Sequence, residues 1–289
     1  MRKIFFLILA FLLLLAGPAT ASEVLVVQSV RSPLYDEAIR GFKSACAVDT
    51  RTLVLSDYAD ADLARVIREE RPRLVLAVGD RALAALRKIR KTPVIALMAL
   101  NVPSQEISSA NLSGVNLFVS PERYLSLFQK IKVKRIGIVH DPARSGWYLK
   151  LARAEAERLG MELVVREVQN PRQTMGQLDS LKGKVDSLWV LPDTTAVTNE
   201  TLEAYFLFSQ REAIPVISFS ASHLKLGAMV ALEIDRVELG RQAGEMAQKL
   251  LQGAEPGDRA VASPRKVFIM SNDAIMRRFN YSVNLTSRE

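Results

Sequence analysis

Cysteine and histidine are almost missing from this 289-residue chain. Cys46 stands alone, so no intrachain disulfide can form and the fold must rest on its apolar cores. Cys46 falls in a helix-like stretch, 37–47, and reads as a small buried apolar residue, with a reactive thiol as the other reading. His140 and His223 are the only histidines. With no H-E-x-x-H and no cysteine cluster, a dedicated zinc site is not expected. A Ser-His-Asp triad would need one of those two histidines. His140 directly precedes Asp141, and successive strand residues point to opposite faces. No G-x-G-x-x-G follows the first apolar run, and no P-loop or G-x-S-x-G elbow occurs anywhere. These absences remove the common routes to dinucleotide, phosphoryl and acyl-transfer chemistry. Neither a cofactor nor an enzymatic activity is expected, and a secreted enzyme on an α/β scaffold lacks a constellation to support it.

Aromatic residues make up 7% of the chain and are not interleaved with the basic ones, so no nucleic-acid partner is expected. Lys and Arg outnumber Asp and Glu by 39 to 31, a formal charge of +8. The cations are dispersed, many on helix faces such as Arg65, Arg68, Arg71, Arg87, Lys88, Arg90 and Lys91. They read as a solvated surface, or as a patch for an acidic partner or an anionic membrane.

Arg2 and Lys3 precede an apolar run over 4–15 and the small-residue site Ala19-Thr20-Ala21. This is the pattern of a signal peptide over 1–21, cleaved after Ala21; an uncleaved anchor is the other reading. No later run is long and apolar enough to span a bilayer. The chain is expected to be exported, to the periplasm.

Beyond that segment, apolar strand-like runs alternate with helix-like runs. Strands are expected near 23–30, 52–55, 73–78 and 93–97. The pattern restarts with 112–119, 135–139, 162–168, 185–191 and 215–219, then returns through 229–234 and 267–270. Helices are opened by Ser32-Pro33, Asp60, Gly79-Asp80, Ser120-Pro121 and Asp235, and closed by Gly160 and Gly253. Residues 252–264 read as a surface loop. Parallel strands need helical crossovers, so the alternation predicts an α/β fold of two doubly wound parallel-sheet lobes. One continuous sheet is the competing topology. Asn111, Asn199 and Asn284 head glycosylation triplets, which matter only in a eukaryotic source.

Several stretches resemble one family. They are Val27-Gln28 through Ser32-Pro33-Leu34-Tyr35-Asp36 and Gly41-Phe42; Asn111-Leu112-Ser113-Gly114-Val115; Lys134 through Val139; Val190-Leu191-Pro192-Asp193; and Gly227-Ala228 through Asp235, then Glu238-Leu239-Gly240-Arg241-Gln242-Ala243. The chain is similar to substrate-binding proteins of ABC transporters, in the group with tryptophan- and tyrosine-binding members. The resemblance implies the type I periplasmic-binding-protein fold, with two lobes joined by a three-segment hinge near 113–119, 228–234 and 266–271. The expected lobes are 22–115 plus 235–265 and 116–234 plus 266–289. It also implies a monomer that captures a small solute, an amino acid or related amine or zwitterion, for an ABC permease in the inner membrane. A ligand-sensing or assembly module beside a membrane receptor is the alternative. Two positions depart from the family pattern: Gly79-Asp80-Arg81 stands where relatives often carry a hydroxyl, and an Asp at a helix N-terminus repels an anionic group; the later Ser220-Ala221-Ser222-His223 is also atypical.

Ligands of open parallel sheets sit beyond the carboxyl ends of the strands. The candidates are therefore Gln28, Ser29, Tyr35, Asp57, Tyr58, Asp80 and Asn101 from the first lobe. The second contributes His140, Asp141, Trp147, Asp193, Thr194 and Ser220. Tyr35, Tyr58 and Trp147 could stack on a planar group, while Asp57, Asp141 and Asp193 could meet an ammonium. Helix capping competes for the acids, and plain packing for the aromatics.

Overall fold

A computed structural model describes residues 23–59, 61–102, 111–254 and 261–281. The expected signal peptide and its cleavage point lie outside the described residues, as do Asp60 and Asn284. Among the described residues, no helix is long and apolar enough to cross a membrane.

Two six-stranded sheets form, as the alternation predicts. The first has the order β11-β5-β4-β3-β1-β2 and the second β12-β10-β9-β8-β6-β7. The strands of the first are β1 Val24–Gln28, β2 Thr50–Val54, β3 Leu74–Val78, β4 Val94–Leu97, β5 Leu112–Val115 and β11 Val261–Ala262. Those of the second are β6 Arg135–His140, β7 Glu162–Glu167, β8 Ser187–Trp189, β9 Val216–Ser218, β10 Val230–Ile234 and β12 Val267–Ser271. All pairings are parallel except β10 with β12. Each sheet thus repeats the doubly wound order 2-1-3-4-5, whose strand order reverses between its first and third strands. The central strands β1 and β3 are buried along their whole length, which is why they read as unbroken apolar runs.

Helices cover both faces. In the first lobe, α1 (Pro33–Ala45) lies on one face, with α2 (Leu63–Glu70) and α3 (Asp80–Ala85) on the other. In the second, α4 (Pro121–Lys130) and α5 (Pro142–Arg158) share one core. The opposite core is built with α6 (Thr174–Asp179) and α7 (Asn199–Glu212). The later helix α8 (Arg236–Leu251) returns to pack on α1, and α9 (Asp273–Arg278) closes the described chain. Cys46 is buried against α1 and α8, as its apolar reading expects.

Three segments pass between the sheets: 116–120, the link at Asp235, and 263–266. They are tied together. The Asp235 carboxylate accepts from the amide of Glu238 at 3.0 Å and pairs with Lys266 at 2.8 Å. Arg265 pairs with Glu238 and Glu245 on α8.

Three details differ from the sequence reading. The stretch read as a loop holds β11, too short at two residues to show a periodicity. Val267–Ser271 is an edge strand, so the third crossing falls before it. The cap of α2 is Asp62, whose side chain accepts from Arg65.

Candidate functional site

Beyond the strand tips, between the two sheets, lies a cavity of about 240 Å³. Met98 and Leu100 line it from the first lobe, and Pro192, Asp193, Thr194, Val197, Phe219 and Ser220 from the second. Leu117 and Val119 come from the first crossing, Leu232, Glu233 and Ile234 from β10, and Arg236 from the start of α8. A larger hollow of about 760 Å³ lies against α6 and α7, lined by Asn170, Met175 and Glu200 among others. It draws no wall from the first lobe, so the smaller cavity is the candidate site.

Three charged residues, Asp193, Glu233 and Arg236, stand in this largely apolar wall, and Arg236 is its only cation. Arg236 donates through Nε to Glu37 on α1 at 2.8 Å and pairs with Glu233 through a guanidinium nitrogen. The other oxygen of Glu233 accepts from the amide of Ala221 at 2.7 Å. A continuous polar chain therefore runs from the first lobe, through the hinge, into the second. Burial works against the Arg236 charge, and its hydrogen bonds to Glu37 and Glu233 more than offset it, holding the guanidinium fully protonated.

Of the thirteen strand-tip candidates, Asp193, Thr194 and Ser220 line this cavity. Five of the other ten, Ser29, Tyr35, Asp80, His140 and Asp141, brace their own lobe at the two points where strand order reverses. In the first lobe, the Ser29 hydroxyl donates to the carbonyl of Val78 at 3.0 Å and accepts from the amide of Ala82 at 2.9 Å. It thereby caps α3 from a neighbouring strand. Asp80, the first residue of α3, does not cap that helix but accepts from the amides of Leu100 and Asn101. So a hydroxyl does stand at this helix terminus, supplied by Ser29. Burial and the Asp80 charge push the Tyr35 phenol above its ordinary pKa, with a hydrogen bond to Ser29 pulling it partly back. Gly79 makes the cluster possible: its φ is +89°, and a Cβ there would lie 2.3 Å from the Tyr35 hydroxyl.

Gln28 is buried at the end of β1. Asp57 pairs with Arg31 at the surface, and Tyr58 is exposed beside it. Asn101 accepts from Arg144 of the second lobe at 2.9 Å, bridging the mouth of the cleft. Trp147 packs edge-on against Phe118 and Tyr148 rather than lining the cavity. Asp141 caps α5 by accepting from Ala143, and also accepts from the Thr195 hydroxyl. Asp57, Asp141 and Asp193 are thus engaged with partners at the surface or within their own lobe, and the remaining acid of the wall, Glu233, is shared between Arg236 and the amide of Ala221.

In the second lobe, Asp193 and Ser145 are fully buried, and His140 is only 3% exposed. The Ser145 hydroxyl donates to Asp193 Oδ2 at 2.7 Å and lies 3.1 Å from His140 Nδ1. Its hydrogen is engaged by the carboxylate, so Nδ1 is the donor to it. Serine, not histidine, occupies the middle of this trio. It is therefore not a hydrolytic triad, in which histidine bridges the other two. Among the described residues, no group of three or more His, Cys, Asp or Glu is placed to hold a metal ion.

Both histidines are held in their neutral form. Burial lowers the pKa of His140, with Asp193, Glu167 and Asp141 pulling partly upward; burial also lowers that of His223, against Glu233. An unfolded histidine takes up a proton near pH ~6.5, so the unfolded chain binds more protons below that value. Their contribution to stability is complete above pH ~6.5 and is lost as pH falls toward the lowered folded values. Unfolding free energies from urea titrations at about pH 7.5 and about pH 5.5 should fall with acidity, by at most ~1.4 kcal/mol per pH unit for each histidine. A His140→Gln/His223→Gln chain should show a flatter profile across that window. An unchanged slope would contradict this account.

The apolar lining was legible in the sequence only as core. Met98, Leu100, Leu117, Val119 and Phe219 continue or follow apolar runs, and nothing local distinguishes a cavity wall from packing. Glu233 and Arg236 carried a signal: two charges flanking the hinge residues Ile234 and Asp235.

Comparison with known proteins agrees with this architecture. A tyrosine-binding protein from Clostridioides difficile (strain R20291) is 23% identical over 274 residues, covering 87% of this chain and 79% of that protein. A ligand-free, open substrate binding protein with adhesive properties from Clostridium difficile superposes with a TM-score of 0.69 and 21% identity, over 91% of this chain and 96% of the other. An ABC domain in complex with L-Trp from Streptococcus pneumonia gives a TM-score of 0.64 and 20% identity, over 89% and 94%. These structures share the two-lobed fold. The family model for ABC transporter substrate binding proteins matches residues 23–284, and the chain belongs to that family.

Proposed function

We propose that this protein captures an amino acid with an apolar side chain between its two lobes and delivers it to an ABC-type import permease in the inner membrane. In this reading the chain is exported to the periplasm after cleavage behind Ala21 and acts as a monomer. Its lobes are 22–115 plus 235–265 and 116–234 plus 266–289. The observation that carries the reading is the Glu233–Arg236 pair set in a largely apolar interlobe wall. A zwitterion meets both charges: its ammonium faces Glu233 and its carboxylate faces Arg236. Its side chain lies against Met98, Leu100, Leu117 and Phe219, with Thr194 and Ser220 supplying hydroxyls. Such a site, apolar with a few convergent polar groups, suits a small amphiphilic solute. The tyrosine-binding relative and the L-Trp complex direct the first trials toward aromatic amino acids.

Titration calorimetry tests the proposal with tyrosine, tryptophan and phenylalanine against tyramine, which lacks the carboxylate, and against an anionic aryl propionate, which lacks the ammonium. The intact zwitterion should bind tightest. Arg236→Ala should weaken it about a hundredfold or more, the range for truncating one partner of a buried charged contact. Tight binding of the purely anionic solute, or of a neutral sugar, would overturn the assignment. Uptake by vesicles carrying the cognate permease tests delivery.

A further inference from the structure

We propose that the outer face of the first lobe, built by α2, α3 and the turn over 86–91, is a cationic surface that docks on an anionic lipid bilayer. The two helices and the turn that follows α3 pack on the same face of the sheet, inserting Leu63, Ile67, Leu83 and Leu86 into one core, so their outward residues share one side of the lobe. The four acids within the described part of 61–91 are all engaged locally. Asp62 caps α2, Glu69 pairs with Arg65, Glu70 pairs with Arg51, and Asp80 binds the amides of Leu100 and Asn101. Arg68, Arg71, Arg81, Arg87, Lys88 and Lys91 are exposed and have no ion-pair partner among the described residues. The neutralisation that a mixed surface provides is therefore missing here.

The composition of the face selects the partner. Protein interfaces are organised around buried aromatic or aliphatic anchors. The large exposed apolar side chains of the described residues, such as Leu34, Leu151 and Leu207, all lie elsewhere in the chain. Lipid headgroups require only charge, delivered by long side chains that reach the surface independently. None of the six cations lines the interlobe cavity, so docking and solute capture are separable.

Co-sedimentation of the full chain with vesicles tests this. Vesicles containing phosphatidylglycerol should retain the protein, and pure phosphatidylcholine vesicles should not. The charge-reversed variant below keeps residues 1–21 and so accounts for any binding through the apolar run over 4–15 and the Arg2 and Lys3 before it. Raising salt from about 0.1 to about 1 M shortens the screening length from ~10 to ~3 Å and should release the protein. Charge reversal at Arg68→Glu, Arg71→Glu, Arg87→Glu, Lys88→Glu and Lys91→Glu together should weaken vesicle binding by about a hundredfold or more. Solute affinity in calorimetry should stay unchanged, which separates failure here from failure of the solute assignment. Equal binding to neutral vesicles, or an undiminished variant, would overturn the proposal. Heparin competing no less effectively than the vesicles would reassign the face to polyanions in general and overturn the lipid assignment.

Discussion

Leucine in place of Gly240 should cost the first lobe at least ~3 kcal/mol and lower its unfolding temperature by about 6–12 °C. Helices α1 and α8 meet backbone to backbone. A Cβ on Gly240 would lie 1.8 Å from the carbonyl oxygen of Ala38, and one on Gly41 would lie 1.9 Å from that of Val237. Gly244 repeats the contact 2.5 Å from the Phe42 carbonyl. These neighbours are main chain, so no rotamer change can make room. The helices cannot separate cheaply either, because Phe42, Leu239 and Ala243 are fully buried between them and the sheet. α8 also begins directly at the second crossing, so displacing it strains the Asp235–Lys266 tie. Scanning calorimetry of Gly240→Leu reads the loss. Gly146→Ala is the matched control: it lies inside α5, and its nearest neighbour, Pro142, is 3.8 Å from the new Cβ. It should be neutral or stabilising by up to ~1 kcal/mol, since alanine is the better helix former. A Gly240→Leu protein as stable as the parent would refute the close contact.

This contact explains one of the sequence stretches that carried the family resemblance. Gly240 within Glu238-Leu239-Gly240-Arg241-Gln242-Ala243 is needed because helix backbones touch there, a cause invisible without the partner helix. The strands were legible for a simpler reason: β1 and β3 are buried on both faces and must be continuously apolar. The helix start was legible where the capping group is local, as at Asp235, whereas the helix capped by Asp141 begins at Pro142, ahead of its first large apolar residues. The cap of α3 was not legible, since Ser29 reaches it from 53 residues away in sequence. The same cause limits the site reading. Polar strand tips read as ligand groups, yet Ser29, Asp80 and Asp141 are drawn into bracing by unpaired backbone donors nearby, which a polar side chain must satisfy. The cavity wall lies one strand further along each sheet, at the ends of β4 and β9, where Met98, Leu100 and Phe219 look like ordinary core.

Asp193 should prove the most sensitive of these braces, with Asp193→Ala costing ~3–5 kcal/mol and weakening solute binding as well. Its carboxylate collects four donors. Oδ1 accepts from the amides of Thr195 and Ala196, each at 3.0 Å, and Oδ2 accepts from the amide of Asp141 at 2.9 Å and the Ser145 hydroxyl at 2.7 Å. At 1% exposure, water cannot replace the lost oxygens without opening the site. Asparagine is isosteric but no remedy. Whichever way its amide turns, the NH₂ faces at least one backbone N–H that it cannot accept from, so Asp193→Asn should still cost ~2 kcal/mol. The network predicts non-additivity. Ser145→Ala removes one of the four donors, so it should cost less in the Asp193→Ala background than in the parent. The functional consequence follows from position. Pro192, Asp193 and Thr194 form part of the cavity wall, and the carboxylate ties that wall to the start of α5, whose Arg144 reaches across to Asn101. Loosening the turn should therefore lower solute affinity through both the wall and the closing contact. Urea unfolding of the single and double variants, paired with calorimetry, separates these effects. Asp193→Asn matching the parent in both measurements would show that the four contacts do not hold the turn.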